Sequence, residues 1–477
     1  MELYDDKPMR GLGEVLKLSW PAGLSMLNVT LMRFIDGFMV SRLGPGPFSA
    51  QFVGGMSAFV PESFIIGTLT VVNTYVSQNL GAGRYRRCGQ YAWAGLLLAV
   101  AFAILVLPLA LFSRSLFGLL GHEEVVLESM YFRYMILSVL VTSPTKVLEQ
   151  FFYGIHRPGI VLVISLLCNG CNVVANYALI FGKWGCPALG LEGAAIATLS
   201  CWVLQFAVLL VVFLAPAMHR RYGTWFVATA SRRQCKEILK IGYPAGVQFV
   251  NDILPWTIFM TVLVGKFGIA HRAAGVVVMR YVSISFMPVV GIGIATTALV
   301  GRYIGAGRRD LARRRAHAAL AAGMVYMGLC GLVFWIFRYP MVSLYIKVMP
   351  SENLSPAQAQ ALASEILHIG SRFMLLAAVF QLFDAVGIVY NGALRGAGDT
   401  FWPMIVATVL SWTIIIVGGT LATVLLPGLS SVGPWAVASL YVVMLGIAFA
   451  WRFESRLWHK INLFRRSPGQ PGADKVH

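Results

Sequence analysis

The sequence predicts an all-α polytopic membrane protein, with about twelve transmembrane helices in two pseudo-symmetric six-helix lobes around a central cavity. Three observations predict this fold. Hydrophobic residues make up 58% of the 477 residues and charged residues only 12%, whereas about 25% charged residues is usual in soluble proteins. About twelve apolar segments are long enough to cross a bilayer as helices. The second half of the chain also repeats motifs of the first half in the same order.

The apolar segments follow one another from near the N-terminus to near residue 455. Their approximate bounds are 15–41, 51–80, 89–112, 128–155, 159–182, 190–215, 237–264, 273–304, 316–338, 361–394, 402–426 and 433–455. The opening stretch MELYDDKPMRGLGEVLK mixes both charge signs and lacks a short apolar core before a cleavage site. We therefore expect no removable signal peptide.

Basic residues are concentrated in alternate loops. With the N-terminus inside, the inside loops contain the clusters at 84–87, 220–240 and 308–315, and the basic tail follows them on the same side. The outside loop LPGLSSVGPW has no basic residue, and GKWGCPALGLEG has only Lys183. This positive-inside asymmetry predicts a multi-pass protein of the bacterial cytoplasmic (inner) membrane with both termini in the cytoplasm. The net charge of +18 is accordingly assigned to topology and to contact with membrane lipid, and no nucleic-acid partner is expected.

Three motifs occur twice. SWPAGL at 19–24 is repeated as GYPAGV, LGAGRYRRCGQYA at 80–92 as IGAGRRDLARRRA, and YGIHRPG at 153–159 more weakly as NGALRGAG. The copies are about 223, 224 and 238 residues apart, so an insertion is expected near PSENLSPAQAQ. Since each half carries six segments, an even number, both halves cross the membrane in the same direction, which implies a pseudo-twofold axis along the bilayer normal.

This repeat divides the chain into two lobes. We predict an N-terminal six-helix lobe over 1–218, a polar and basic cytoplasmic linker over 219–240, and a C-terminal six-helix lobe with a basic tail over 241–477.

Three signatures identify a resemblance to a known family. SQNLGAGR at 77–84, NYALIFGKWGCPALGLEGAAIAT at 176–198 and LRGAGDTFWPM at 394–404 resemble the multidrug and toxic compound extrusion (MATE) transporters. The spacing of Pro244 and Asp252 and the DAV that begins at residue 384 resemble the NorM-like branch. The resemblance implies two six-helix bundles, alternating access, and export of drugs or toxins driven by Na⁺ or H⁺. The chain is therefore expected to be a secondary active transporter and not an enzyme.

Ionisable residues inside the apolar segments are the main functional signal. A charge at the centre of a transmembrane helix costs about 2.5–3.5 kcal/mol on insertion scales, so each such residue should face protein or a water-filled cavity. Seven ionisable residues fall well within the predicted spans: Arg33, Asp36, Glu62, Lys146, Glu149, Asp252 and Asp384.

Three of these acids are predicted to couple transport to an ion. Asp252 and Asp384 lie at comparable depth, so they could share one proton or act together as the ligands of a Na⁺ ion, the metal that we predict at this pair. In the alternative interpretation each acid is bound to a separate partner and only packs the bundle. Aspartate at 252, where family members often have glutamate, has a shorter reach to a shared ion.

Asp36 is the corresponding candidate of the N-terminal lobe. The resemblance implies that it faces Asn172, Asn176 and Thr198, which suit Na⁺ or a hydrogen-bonded protonated acid. The two asparagines share a helix face, and simple interhelical hydrogen bonding is an equally good interpretation of them. Arg33 lies three residues before Asp36 and could pair with it, which would make Asp36 a structural anion.

The predicted substrate cavity combines charged, amide and aromatic side chains. Aromatic faces attract cationic drugs, although most aromatic side chains in such helices pack in the core or face lipid. Lys146 could pair with Glu149 or Glu62, or it could line the cavity together with Arg33 and widen the range of substrates. The predicted lining residues are Arg33, Glu62, Lys146, Gln248, Trp256, Phe259, Phe286, Phe380 and Gln381.

Several other functions are disfavoured. The GAGR turns do not match GxxxxGK[ST], so no use of ATP is expected. Cys168 and Cys171 form an isolated CxxC, which we interpret as helix contacts. We expect a monomer with a small-molecule substrate and no cofactor other than Na⁺ or H⁺ as coupling ion. The rival hypotheses are a lipid-intermediate or metabolite flippase of the same superfamily, an integral membrane enzyme and a passive channel.

Overall fold

The computed structural model describes residues 11–119, 124–225, 231–346 and 356–463. Nearly all of these residues are helical, and twelve helices among them are long and apolar enough to span a membrane. They are α1 Gly11–Ser41, α2 Pro45–Gly81, α3 Tyr85–Leu111, α4 Val125–Gly154, α5 Pro158–Phe181, α6 Leu191–Leu214, α7 Arg232–Phe267, α8 Ile269–Gly305, α9 Arg309–Ile336, α10 Ala357–Ala397, α11 Phe401–Leu425 and α12 Val432–Glu454. The predicted all-α fold and number of spans are confirmed.

Local sequence explains where helices begin and end. α5 begins at Pro158, whose missing N–H is tolerated in the first helical turn, and it ends before Gly182, whose φ of 67° lies in the left-handed region that favours glycine. α7 begins with a capping box between Ser231 and Gln234. The part of the predicted linker from Arg232 onward is therefore already helical.

Each lobe packs its helices in the same order. In the N-terminal lobe α4 packs against α2, α3 and α6, and in the C-terminal lobe the equivalent helix, α10, packs against α8, α9 and α12. Aromatic side chains fill both cores: the rings of Phe151 and Phe213 meet edge-to-face at 5.0 Å, and those of Phe373 and Trp435 stack at 4.6 Å. The two halves of the chain are therefore alike in packing as well as in sequence.

The lobes meet through α1, α2, α7 and α8, and the contact is reciprocal. A Cβ added to Gly81 would lie 1.8 Å from the carbonyl oxygen of Arg302, and one added to Gly305 would lie 1.9 Å from that of Gln78. These four residues are two pairs of equivalent positions in the repeat, so each lobe presents the same surface to the other. We call this end of the bundle, where α2 and α8 end beside the arginine-rich loops, the basic end.

α7 is irregular at mid-span. Its first helical segment, Arg232–Asn251, is followed by two turn residues and then by the short helix Leu254–Ile258 and the π-helical turn Phe259–Leu263. Pro255 lies just after the break, where it lacks an N–H and restricts the residue before it. Non-helical backbone at membrane depth is tolerated only where it is buried in protein or lines a cavity. The break in α7 is therefore expected to face protein or a cavity and not lipid.

Candidate ion-coupling site

Asp252 lies in the break of α7. Its backbone N–H makes the last regular i→i−4 hydrogen bond of this segment, to the carbonyl oxygen of Gln248 at 2.8 Å, and the next N–H, of Ile253, donates to Val250 at 3.1 Å. The side chain is exposed, and within the described part of the chain its carboxylate has no hydrogen-bond or ion-pair partner. A carboxylate left unpaired at this position is free to take a cation or a proton.

Asp384 faces the same region from α10. It is half-buried, and it too has no hydrogen bond or ion pair among the described residues. Its charge interacts electrostatically with that of Asp252, and Tyr441 of α12 lies within electrostatic range of both acids. The structure therefore places each of the two predicted residues within range of the other's charge. Two like charges held close disfavour double ionisation, so binding a single cation or proton between them relieves the repulsion.

Arg395 is a residue of this region that was not among the predicted site residues. Its charge interacts electrostatically with Asp252, and its buried Nε atom has no hydrogen-bond partner among the described residues. A signal was present: Arg395 follows Asp384 by eleven residues, about three helical turns, so the two share a helix face. The involvement of Tyr441 had no sequence signal. Among the described residues, no group of three acidic, histidine or cysteine side chains is arranged to hold a metal ion.

In the N-terminal lobe, Asp36 is buried and paired. Asn176 Nδ2 donates to Asp36 Oδ1 at 2.6 Å and to Asn172 Oδ1 at 2.9 Å. The structure thus joins three of the four predicted residues. Thr198 is buried on α6, but within the described residues it makes no hydrogen bond to them. Asn176 Oδ1 is buried and has no hydrogen-bond partner among the described residues, which leaves an oxygen ligand available beside the carboxylate.

The two basic side chains predicted in the N-terminal lobe have separate partners. Arg33 is exposed, with its guanidinium 5.0 Å from the ring centre of Phe59, and among the described residues it forms no ion pair with Asp36. Lys146 Nζ lies 2.9 Å from Glu149 Oε2, so the pairing on its own helix is the one present. The remaining acid, Glu62, accepts a hydrogen bond from Thr142 Oγ1 at 2.6 Å.

The predicted aromatic and amide lining divides into two groups. Trp256 and Phe286 are half-buried and retain some accessible surface. The others, Gln248, Phe259, Phe380 and Gln381, are buried at 3% exposure or less. These four have little accessible surface in this conformation. Phe259 and Phe380 pack in the core of the C-terminal lobe, and Gln381 Nε2 donates to Ser285 Oγ at 2.7 Å. Helix rotation about its own axis depends on the neighbouring helices and has no signal in the sequence.

We expect Asn176→Ala to destabilise the N-terminal lobe by about 1–3 kcal/mol, because it leaves the buried carboxylate of Asp36 without its hydrogen-bond donor. Thermal unfolding of the purified protein measures the loss. In the Asp36→Asn background the same substitution should cost less, because no charge is then left unpaired. Equal costs in both backgrounds would show that the hydrogen bond does not stabilise the carboxylate.

Twelve membrane-spanning helices in two lobes, with acids at mid-span, are the architecture of a polytopic membrane transporter. The MatE family model matches residues 21–178 and 253–421, more than half of the chain. The protein therefore belongs to the MatE family, the multidrug and toxic compound extrusion transporters, and is a transporter and not an enzyme. The resemblance predicted from the signatures is confirmed.

Relatives and solved structures agree with this assignment. A probable multidrug resistance protein NorM from Mesorhizobium japonicum is 29% identical over 453 residues, covering 93% of this chain and 94% of the relative. The multidrug resistance protein NorM from Burkholderia vietnamiensis is also 29% identical, covering 92% and 93%. An outward-facing multidrug resistance MATE family transporter shares the fold with a TM-score of 0.84 at 18% identity, covering 95% of this chain and 98% of that one. A MOP superfamily transporter from Pyrococcus furiosus also shares the fold, with a TM-score of 0.85 at 18% identity, covering 96% of this chain and 100% of that one.

Proposed function

We propose that the protein exports amphipathic, mainly cationic drugs or toxins from the cytoplasm in exchange for Na⁺ or H⁺. It would act as a monomer in the bacterial cytoplasmic membrane, with both termini in the cytoplasm and without ATP. The observation that carries the proposal is the pair of mid-span carboxylates, Asp252 and Asp384, neither of which has a direct partner among the described residues. The NorM relatives are named multidrug resistance proteins, which supports drugs as the cargo and export as the direction of transport.

The acid pair suggests a simple mechanism of exchange. A cationic drug and the coupling ion are attracted to the same negative charge, so the binding of one disfavours the binding of the other. Arrival of an ion from outside would neutralise the pair and release the drug. The ion would then leave on the cytoplasmic side after the lobes change their contact. In this scheme one site, open in turn to each side of the membrane, exchanges the drug for the coupling ion, and no other energy source is required.

The surroundings of the pair favour a cationic and partly apolar cargo. Trp256 is half-buried, and its ring meets that of Phe259 edge-to-face at 5.6 Å. Phe286 on α8 is also half-buried, and it follows Ser285, whose Oγ accepts a hydrogen bond at 2.7 Å from Gln381 Nε2, three residues before Asp384 on α10. Aromatic faces beside carboxylates attract organic cations through both the ring quadrupole and apolar burial. The Asp36–Asn176 pair in the other lobe is a second place where the coupling ion could bind.

One observation favours a second function, export of a lipid intermediate or another anionic metabolite. Arg33 is exposed and, among the described residues, forms no ion pair with Asp36; its charge interacts with Asp36 and Glu62 only electrostatically, so its guanidinium is accessible to an anion. An anionic head group could use this charge while its apolar part occupies the space between the lobes. The transport assay separates the two functions.

The test is transport in inverted membrane vesicles under separately imposed gradients. Export then appears as accumulation of the fluorescent cation ethidium in the vesicle lumen. We expect accumulation when either Na⁺ is high or the pH is low in the lumen, and loss of accumulation when an ionophore dissipates that gradient. Accumulation that ignores both gradients would overturn ion coupling. Failure to accumulate ethidium, together with exchange of an anionic substrate, would favour the second function.

A further inference from the structure

Two glutamates occupy equivalent positions at the basic end, one in each lobe. Glu14 lies in the first turns of α1, and Glu237 lies in the first turns of α7. They are separated by the same offset, about 223 residues, as the two PAG motifs. Both reach across the boundary between the lobes, and neither belongs to the acids at mid-span.

The Glu14 cluster consists of Glu14, Tyr303 and Arg315. Both carboxylate oxygens of Glu14 lie 2.8 Å from the hydroxyl of Tyr303, the donor, on α8. Arg315 Nε of α9 donates to Glu14 Oε2 at 2.6 Å. The side chains of the ion pair are only 9% and 15% exposed. This cluster therefore ties α1 of the N-terminal lobe to two helices of the C-terminal lobe through charge-assisted hydrogen bonds.

The Glu237 cluster consists of Glu237, Tyr91 and Tyr75. The hydroxyl of Tyr91 on α3 donates to Glu237 Oε2 at 2.5 Å, and that of Tyr75 on α2 donates to the backbone oxygen of Glu237 at 2.8 Å. The two tyrosine rings stack with their centres 4.5 Å apart. Tyr91 is the repeat equivalent of Arg315. The same inter-lobe contact is thus made twice, once by an arginine and once by a tyrosine.

We propose that the Glu14 and Glu237 clusters are the two halves of a gate that holds the basic end closed and opens in each transport cycle. The inference rests on the alternating access of the proposed function. To open this end, α1 must separate from α8 and α9, and α7 must separate from α2 and α3. Both clusters are broken by that movement. Because both carboxylates lie near the membrane surface, water can replace their lost partners, so the gate can open reversibly.

The two halves of the gate are unequal. Arg315 carries a full charge to Glu14 in a well-buried pair, whereas Tyr91 offers only a hydroxyl to Glu237. Glu237 is 26% exposed and is also paired with Arg233 of its own helix, which is 75% exposed and contributes little. The Glu14 cluster therefore holds the closed state more strongly than the Glu237 cluster does.

The gate is tested by measuring the distance between the lobes. Spin labels are attached at Arg86→Cys and Asp310→Cys, which are exposed, equivalent positions in the first turns of α3 and α9, in a background without the native cysteines. Double electron–electron resonance is recorded on the full chain in nanodiscs, with no drug and no ion gradient. We expect Glu14→Gln to raise the fraction with separated labels roughly tenfold and Tyr91→Phe to raise it roughly fivefold.

The matched control is Tyr390→Phe. Tyr390 on α10 donates to Glu454 of α12 at 2.9 Å, which is the same tyrosine–glutamate chemistry within a single lobe. It should leave the distance distribution unchanged. Wild-type distributions in both Glu14→Gln and Tyr91→Phe, or an equal shift in the control, would overturn the gate. Because the distances need no cargo or ion gradient, this result is independent of whether the transport assay succeeds.

Discussion

Replacing Asp384 with asparagine is expected to reduce ion-driven export to the level of vesicles without the protein, while the fold survives. Asparagine keeps the size of the side chain, but it is uncharged, so it neither takes up a proton nor attracts a cation strongly. The substitution also removes the repulsion between residues 384 and 252, so the lobe should be no less stable than the wild type. Initial rates of ethidium accumulation, normalised to the amount of folded protein, measure the effect.

Two controls make the result specific. Asp310→Asn removes an exposed acid in the first turn of α9 and should transport at the wild-type rate. The double variant Asp252→Asn/Asp384→Asn should be no worse than either single variant, since residues that act as one unit are not additive. Gradient-driven export by Asp384→Asn at the wild-type rate would exclude this residue from coupling.

Gly305→Ala is expected to abolish transport by preventing closure of the basic end. The added methyl group would lie 1.9 Å from the carbonyl oxygen of Gln78, and because that oxygen belongs to a helix backbone it cannot rotate away. The lobes must therefore move apart at this end, and the labels at positions 86 and 310 should report the separated state. Gly81→Ala should act in the same way through the carbonyl oxygen of Arg302.

Gly159→Ala is the matched control for these two variants. Gly159 also lies within a helix, but a Cβ at this position would have no neighbour within 4 Å in the part of the chain that the structure describes. Both kinds of substitution remove a glycine from a helix, so both gain a similar helix propensity, and only the contact between the lobes differs. Normal transport with closed distances in Gly305→Ala would show that the lobes can adjust around the methyl group.

The internal repeat is the feature of the sequence that predicted most about the arrangement of the two lobes. Its offset of about 224 residues, read from the two GAG turns, also relates Gly81 to Gly305 and Tyr91 to Arg315. The reciprocity of the interface follows from it, because two similar lobes that pack about a pseudo-twofold axis bury the same surface twice. The repeat does not predict which side chains contact each other. The contacts of Glu14 and Glu237 were found only in the structure.

Apolar content, segment length and the placement of charge determined the number of helices, the all-α class and the presence of acids at mid-span. These depend on the cost of burying charge and unpaired backbone in hydrocarbon, which each segment experiences by itself. The tertiary structure decided which side chains meet. It paired Lys146 with Glu149, left Asp252 and Asp384 without direct partners among the described residues, and turned Phe259 and Phe380 into the core. Those outcomes depend on how each helix is rotated against its neighbours, and that rotation is set by packing between segments far apart in the chain.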